Sequence, residues 1–268
     1  MIRPAAVAGR FYPADPLQLK KQIEELLPPD SKKISARACL VPHAAYIYSG
    51  RVAASVYASL DLPSRLILLG PRHFPRGERL AIVSQGNWRT PFGDAPIDES
   101  FAAEIKSAFP PLREDARAHS TEHSLEVQLP FLQHLVPNFT FVPIVLGTDR
   151  FEILEALGHA IAQAIAAHAG EKILLLTSSD MNHYATDAAT RVKDRKAIDA
   201  ILALDARRLY DTIHRESISM CGYAAAVVML VAVRDLQAEK AHLVTYATSA
   251  EVNGDYDSVV GYAGIIVD

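Results

Sequence analysis

Cysteine is scarce: Cys39 and Cys221 are the only two in 268 residues. That excludes a disulfide-stapled scaffold and points to a reducing compartment, the cytoplasm. No apolar run approaches the roughly 18 residues of a membrane helix; the longest candidate, 224–233, is far too short. An excess of basic charge is also missing. A net charge of −4 offers no field for nucleic acid or anionic lipid, so neither is expected as a partner. The chain has no CxxC, no GxxxxGKS/T, no GxGxxG and no GxSxG. Zinc ribbons, P-loop NTPases, Rossmann enzymes and α/β-hydrolases lose their support. The opening MIRPAAVAGRFYPAD has no leucine-rich stretch and few basic residues, so it reads as neither signal nor transit peptide.

What is present is ordinary globular material, half apolar and 22% charged. No repeat, low-complexity segment or linker interrupts it, so one continuous domain over 1–268 is expected. The most loop-like stretch is 27–33, LPPDSKK. Helical spacing runs through 17–27, opened by Asp15 and Pro16, and recurs at 50–60, 99–109, 151–168, 188–204, 206–215 and 223–236. The stretch 124–135 is helical in period, with a kink expected at Pro130. Short apolar runs at 38–41, 65–69, 80–83, 141–146, 173–177, 243–248 and 259–267, and the stretch around Trp88, read as strands. Gly70-Pro71 is expected to end the second of these. Strands alternating with long helices predict an α/β fold, a three-layer αβα sandwich around a mixed, mostly parallel sheet.

Several apolar strands run straight into polar clusters containing histidine. ACLVP leads to His43, RLILLGPR to His73, and ILLLTSS to Asp180 and His183. Ligands bind at the carboxyl ends of such strands. His43 and His73 are each either a metal ligand or a hydrogen-bonded loop histidine; two imidazoles at neighbouring strand ends can share one ion. Asp180 either orients an imidazole and fixes its tautomer or caps a helix, and His183 is either a general base or a surface histidine. In EHSLEVQLPFLQ, Glu122, His123 and Glu126 fall at an expected helix start, with Glu122 and Glu126 on one face. They serve a metal, contact a substrate or cap the helix; the full HExxH motif is absent. Cys221 precedes a helix, whose dipole would favour its thiolate as ligand or nucleophile; the alternative is a small apolar residue. Cys39, inside a strand, reads as core. Tyr46, Tyr48, Tyr184, Tyr223 and Tyr256 gather near these motifs, as pocket lining or as packing.

Taken in order, RPAAVAGRFYP, PHAAYIYSG, LGPRHF, EHSLEVQLPFLQ, SSDMNHY, MCGY and TYATSAEVNGDYDSVVGYAGIIV resemble the Memo family, also called AmmeMemoRadiSam system protein B. The resemblance covers nearly the whole chain. Its fold is similar to LigB-type class III extradiol dioxygenases, non-haem Fe(II) enzymes with two histidines and a carboxylate on iron. The resemblance implies metal ligation by His43, His73 and Cys221, the cysteine standing where those enzymes have glutamate. It implies His183 as the acid/base histidine, Asp180 as its neighbour and His123 in the same pocket. It implies Fe(II) first and copper second, a small-molecule substrate or peptide in the cleft, and radical SAM and AMMECR-type partner proteins. Ala45 stands where the family often has glycine, and Ala224-Ala225 where it often has Gly-Pro. Three functions compete: a dioxygenase-like redox metalloenzyme, a non-catalytic binding module, and a metal-free hydrolase with Cys221 as nucleophile and His183 as base.

Overall fold

A computed structural model describes residues 1–29 and 32–268. Asp30 and Ser31, within the loop expected at 27–33, lie outside the described residues. The strands are β1 (Ile2–Arg3), β2 (Ala38–Val41), β3 (Arg65–Pro71), β4 (Leu80–Ile82), β5 (Asn87–Thr90), β6 (Gly93–Pro96), β7 (Arg113–Glu114), β8 (Thr140–Leu146), β9 (Ile173–Ser178), β10 (His183–Ala185), β11 (Ala241–Thr248) and β12 (Val259–Val267). The helices are α1 (Pro16–Leu26), α2 (Tyr46–Ala58), α3 (Glu99–Ala108), α4 (Ala116–His119), α5 (Leu129–Leu135), α6 (Phe151–Ala167), α7 (Asp187–Leu202), α8 (Ala206–Arg215), α9 (Tyr223–Asp235) and α10 (Ala250–Asn253).

The main sheet runs β10-β12-β2-β9-β3-β8-β4-β7, with β11 also paired to β12. Its centre, β2-β9-β3-β8, is parallel. β12 joins β2 antiparallel, and β4 joins β8 antiparallel. The central strands are apolar at nearly every position because both faces are covered. α2, flanked by α1, packs against β2, β11 and β12; α9 packs against β2, β9, β3 and β8, with α6 and α8 behind it. Consecutive β12 residues point to opposite faces. Gly264 faces Val52 and Val56 of α2, whereas Gly261 faces Asp194 of α7. The α/β sandwich expected from the sequence is therefore present, with a mixed sheet and helices on both faces.

α9 is apolar around its whole circumference, and residues 224–233 are buried. It lies between the sheet and an outer helical layer. A Cβ on Gly158 of α6 would come within 2.6 Å of Val231, so glycine permits this close approach. No helix among the described residues is long and apolar enough to cross a membrane.

Three local expectations change. α2 begins at Tyr46, not at 50, because Tyr46 is buried against Phe131 and its hydroxyl donates to the Val127 carbonyl at 2.6 Å. β3 continues through Gly70-Pro71: pairing with β9 ends at Leu69, while Arg72 N–H carries the ladder to Leu146. Pro71 thus stands where no neighbouring strand needs its N–H. Pro130 makes no kink; it sits in the first turn of α5, where a missing N–H costs nothing.

Candidate metal centre

β2, β9 and β3 are adjacent, and each delivers a polar residue two positions past its end: His43, Asp180 and His73. Two glycines let other segments settle onto the same edge. A Cβ on Gly70 would meet Leu125 at 2.7 Å and Ser124 Oγ at 2.8 Å, so its absence admits segment 122–125. A Cβ on Gly222 would meet the Ser178 carbonyl at 2.6 Å and Ser179 Oγ at 2.7 Å. The start of α9 therefore sits against the end of β9 and brings Cys221 to His43, Sγ to Nε2 at 3.2 Å.

His43, His73 and His123 each offer a ring nitrogen within 4.8 Å of the others, a group able to hold a metal ion. The rings of His73 and His123 stack at 4.6 Å, and His43 meets both edge-on. Hydrogen bonds fix two tautomers. Ser178 Oγ donates its one proton to the Ser124 carbonyl at 2.6 Å and accepts from Gln128 Nε2 at 2.8 Å. Gln128 is itself oriented by donation to the Pro42 carbonyl and acceptance from Tyr57. The remaining lone pair of Ser178 Oγ faces His43 Nδ1 at 2.9 Å, so Nδ1 carries the proton and Nε2 is left bare. His73 Nδ1 lies 2.8 Å from the Glu122 carboxylate and donates to it, which leaves Nε2 as the atom an ion would take, in exchange for any proton there.

Two imidazole Nε2 atoms, a third imidazole and a thiol form a donor set that suits a soft to borderline transition metal. A carboxylate behind one ligand histidine is the usual way such a ring is oriented. The residues present fit an iron or copper ion.

Burial holds His43 neutral, its ionisation displaced well below the ordinary imidazole range, and the neighbouring His73 adds to that. Burial also lowers His123 to about 4, reinforced by His43. His73 goes the other way. Burial opposes its charge, but the hydrogen bond and the negative charge of Glu122 outweigh it and raise its pKa. Glu122 is fully buried, which alone would raise its carboxyl; donation from His73, His123 and Ser124 holds it well below the carboxylate range.

His183 accepts a different orientation. Its Nδ1–H donates to the Ser219 carbonyl at 2.9 Å, leaving Nε2 as an acceptor. Asp180 does not orient an imidazole and caps no helix. Its Oδ1 accepts the backbone N–H of His43 at 2.7 Å and of Ala44 at 3.3 Å, fixing the loop that carries His43. Thr186 caps α7 instead. The expected thiolate at Cys221 is also corrected: burial and the nearby Asp180 carboxylate push its pKa up, so the metal-free group is a thiol. Its hydrogen-bond partners are His43 and the Asp180 carbonyl, not His183, which removes the Cys221–His183 dyad. Cys39 is core, as expected.

Glu122 and Glu126 do not share a helix face. Segment 122–125 is a loop, followed by a 3₁₀ turn over Glu126–Gln128. Glu122 faces His73, whereas Glu126 holds the N-terminal segment through Arg3 (2.7 Å), Ala6 N–H (2.7 Å), Val7 N–H (3.0 Å) and Tyr12 (2.7 Å). That segment places Phe11 against His123, ring centres 4.8 Å apart. Ala45 has φ −56°, which alanine adopts as freely as glycine, and Ala224-Ala225 are buried in the first turn of α9. Ser178 and Gln128 carry no signal in the sequence beyond polarity next to buried apolar runs.

A family model described as "Memo-like protein" matches residues 3–266. A MEMO1 family protein of Methanopyrus kandleri is 39% identical over 99% of both chains, and one of Sulfolobus acidocaldarius 40% identical over 99% of both. One from Methanocaldococcus jannaschii is 38% identical, covering 100% of this chain and 99% of its own. Among solved structures, an uncharacterized protein, JW3007 from Escherichia coli K12, shares the fold at TM-score 0.56 and 14% identity, over 87% of this chain and 100% of its own. The chain belongs to the Memo-like protein family.

Proposed function

We propose that this protein is a metal-dependent redox protein of the cytoplasm, holding Fe(II), or in second place copper, through His43, His73 and Cys221. The observation that carries the reading is that Nδ1 of each of two histidines is held by a dedicated partner, Ser178 behind His43 and Glu122 behind His73, which leaves both Nε2 atoms for an ion. His123 lies within ligand distance and serves as a further donor or as the wall beside the ion. When bound, the ion would supply Lewis acidity and electron transfer for dioxygenase-like oxidation of a small organic substrate.

The chain's own residues do the rest. His183 takes a proton at Nε2, its tautomer fixed by Ser219. Asp180 keeps His43 in place through the backbone. Burial of His43 and Glu122 excludes water from the base of the site. Work alongside radical SAM and AMMECR-type proteins is part of the same proposal, carried by family membership.

Anaerobic purification, loading with Fe(II) or Cu(I) and elemental analysis test it. The wild type should take up near-stoichiometric metal, and His43→Ala, His73→Ala and Cys221→Ala should each lose it while keeping the wild-type circular dichroism. A wild type that takes up no metal overturns the proposal. Oxygen consumption with a panel of phenols then separates turnover from metal or ligand binding alone.

A further inference from the structure

Asn182 is 1% exposed and uses every polar group it has. Its N–H donates to Asp194 Oδ1 at 2.8 Å, and its carbonyl accepts the Gly261 N–H at 3.0 Å. Its Nδ2 donates to Thr190 Oγ1 at 3.1 Å. Thr190 and Asp194 are four apart on α7, so one face of that helix holds both the backbone and the amide of Asn182. The remaining atom, Oδ1, lies 3.2 Å from both the N–H and the hydroxyl of Ser219. A backbone N–H can only donate, so the amide oxygen must face Ser219 and the amide nitrogen Thr190.

Ser219 in turn holds His183 twice. Its hydroxyl accepts the His183 N–H at 2.8 Å, and its carbonyl accepts Nδ1–H at 2.9 Å. Both segments that meet here are bent. Tyr184 has φ +60° and Ser217 φ +48°, left-handed values that side-chain-bearing residues keep only where their surroundings hold them. The pairing of β10 with β12 also shifts register between His183 and Ala185. A free imidazole favours the Nε2–H form, so the Nδ1–H form of His183 depends on where the Ser219 carbonyl stands.

We infer that Asn182 is a positioning residue: acting through Ser219, it sets the tautomer of His183 and keeps Nε2 the unprotonated nitrogen. Without the Asn182 amide, the Ser219 N–H loses its acceptor and the carbonyl is free to turn from the ring. His183 then takes the Nε2–H form and can no longer accept a proton at that atom. The use of His183 in proton transfer rests on the proposed function; the tautomer and its control by Asn182 do not.

Nitrogen NMR of isotope-labelled histidines reads the tautomer directly. The full chain is freed of metal with a chelator and measured above the ordinary imidazole range, the His183 signals being those that His183→Gln lacks. Wild type should show a protonated Nδ1 and a bare Nε2. Asn182→Ala should shift the ring toward the Nε2–H form. Should that variant fail to fold, Asn182→Ser, whose hydroxyl is too short to reach Ser219, is read in its place. Thr190→Val removes a hydrogen bond from the same cluster but leaves Oδ1 on Ser219, and should keep the wild-type tautomer. Wild type in the Nε2–H form, an unchanged tautomer in the Asn182 variant, or an equal shift in Thr190→Val overturns the inference. Metal uptake is measured on separate samples, so its failure would sink the metal assignment and leave this result standing.

Discussion

Glu122 accepts two hydrogen bonds from His73, one from its backbone N–H at 2.7 Å and one from ring Nδ1–H at 2.8 Å. One buried carboxylate therefore sets both the loop conformation and the tautomer of the same histidine. Glu122→Gln replaces an acceptor with an amide that must turn N–H groups toward N–H donors. Metal affinity should fall about 10- to 100-fold, as for other carboxylates behind ligand histidines. Competition with a coloured chelator measures it. Unchanged affinity would mean that the His73 tautomer does not depend on Glu122.

Glu126 makes a different prediction, about the N-terminal segment. Its fully buried carboxylate pairs with Arg3, whose side chain is 9% exposed. Breaking a buried pair from one side typically costs about 3–5 kcal/mol. Glu126→Ala should lower the urea midpoint accordingly and expose the bonds within residues 1–14 to protease. It should also loosen Phe11 from His123, where that segment meets the histidine cluster. A wild-type cleavage pattern would show that the segment is held by other means.

The strands and the strand-end histidines were legible because ACLV, RLILL and ILLLT are unbroken apolar runs followed at once by polar residues. Burial on both faces leaves that signature, and a parallel sheet gathers the ends without further information. Glu122 and Glu126 were misread for a physical reason. Spacing of four suggests a helix face, but their partners, His73 and Arg3, are 49 and 123 residues away, and tertiary bonds keep 122–125 in a loop. The thiol state of Cys221 was hidden likewise: a helix start favours the anion, while desolvation, absent from any sequence pattern, outweighs it.

Gly222 places Cys221. An added Cβ would stand 2.5 Å from Ser179 Cβ and 2.6 Å from the Ser178 carbonyl, neither of which is a flexible chain end. Gly222→Ala should push the start of α9 off β9, lengthen the 3.2 Å Cys221–His43 contact and lower stability by roughly 1–3 kcal/mol, as overpacking does. Alkylation of Cys221 by iodoacetamide should accelerate relative to wild type. An unaltered alkylation rate with unaltered stability would refute the packing argument.

Asp194, away from the histidines, should govern part of the pH dependence of stability. It is fully buried on α7 and accepts from Asn182 N–H at 2.8 Å and Tyr246 at 2.7 Å. Burial raises its carboxyl from 3.8 to about 6, against the pull of these bonds and of Arg191 and Lys193. The folded state thus holds this proton more tightly than the unfolded chain. Between the two values the native state binds more protons, so stability falls as pH rises through that window and the loss is complete above it. About two units correspond to roughly 3 kcal/mol. Asp194→Asn keeps both contacts if the Tyr246 hydroxyl turns to accept from the amide, and it removes the ionisation. The difference in unfolding free energy between variant and wild type should be small near pH 4 and grow in favour of the variant up to pH 7. Urea titrations across that range measure it, and subtracting the two curves cancels the other titrating groups. A difference that does not change with pH would show that Asp194 ionises in the folded protein at its unfolded value.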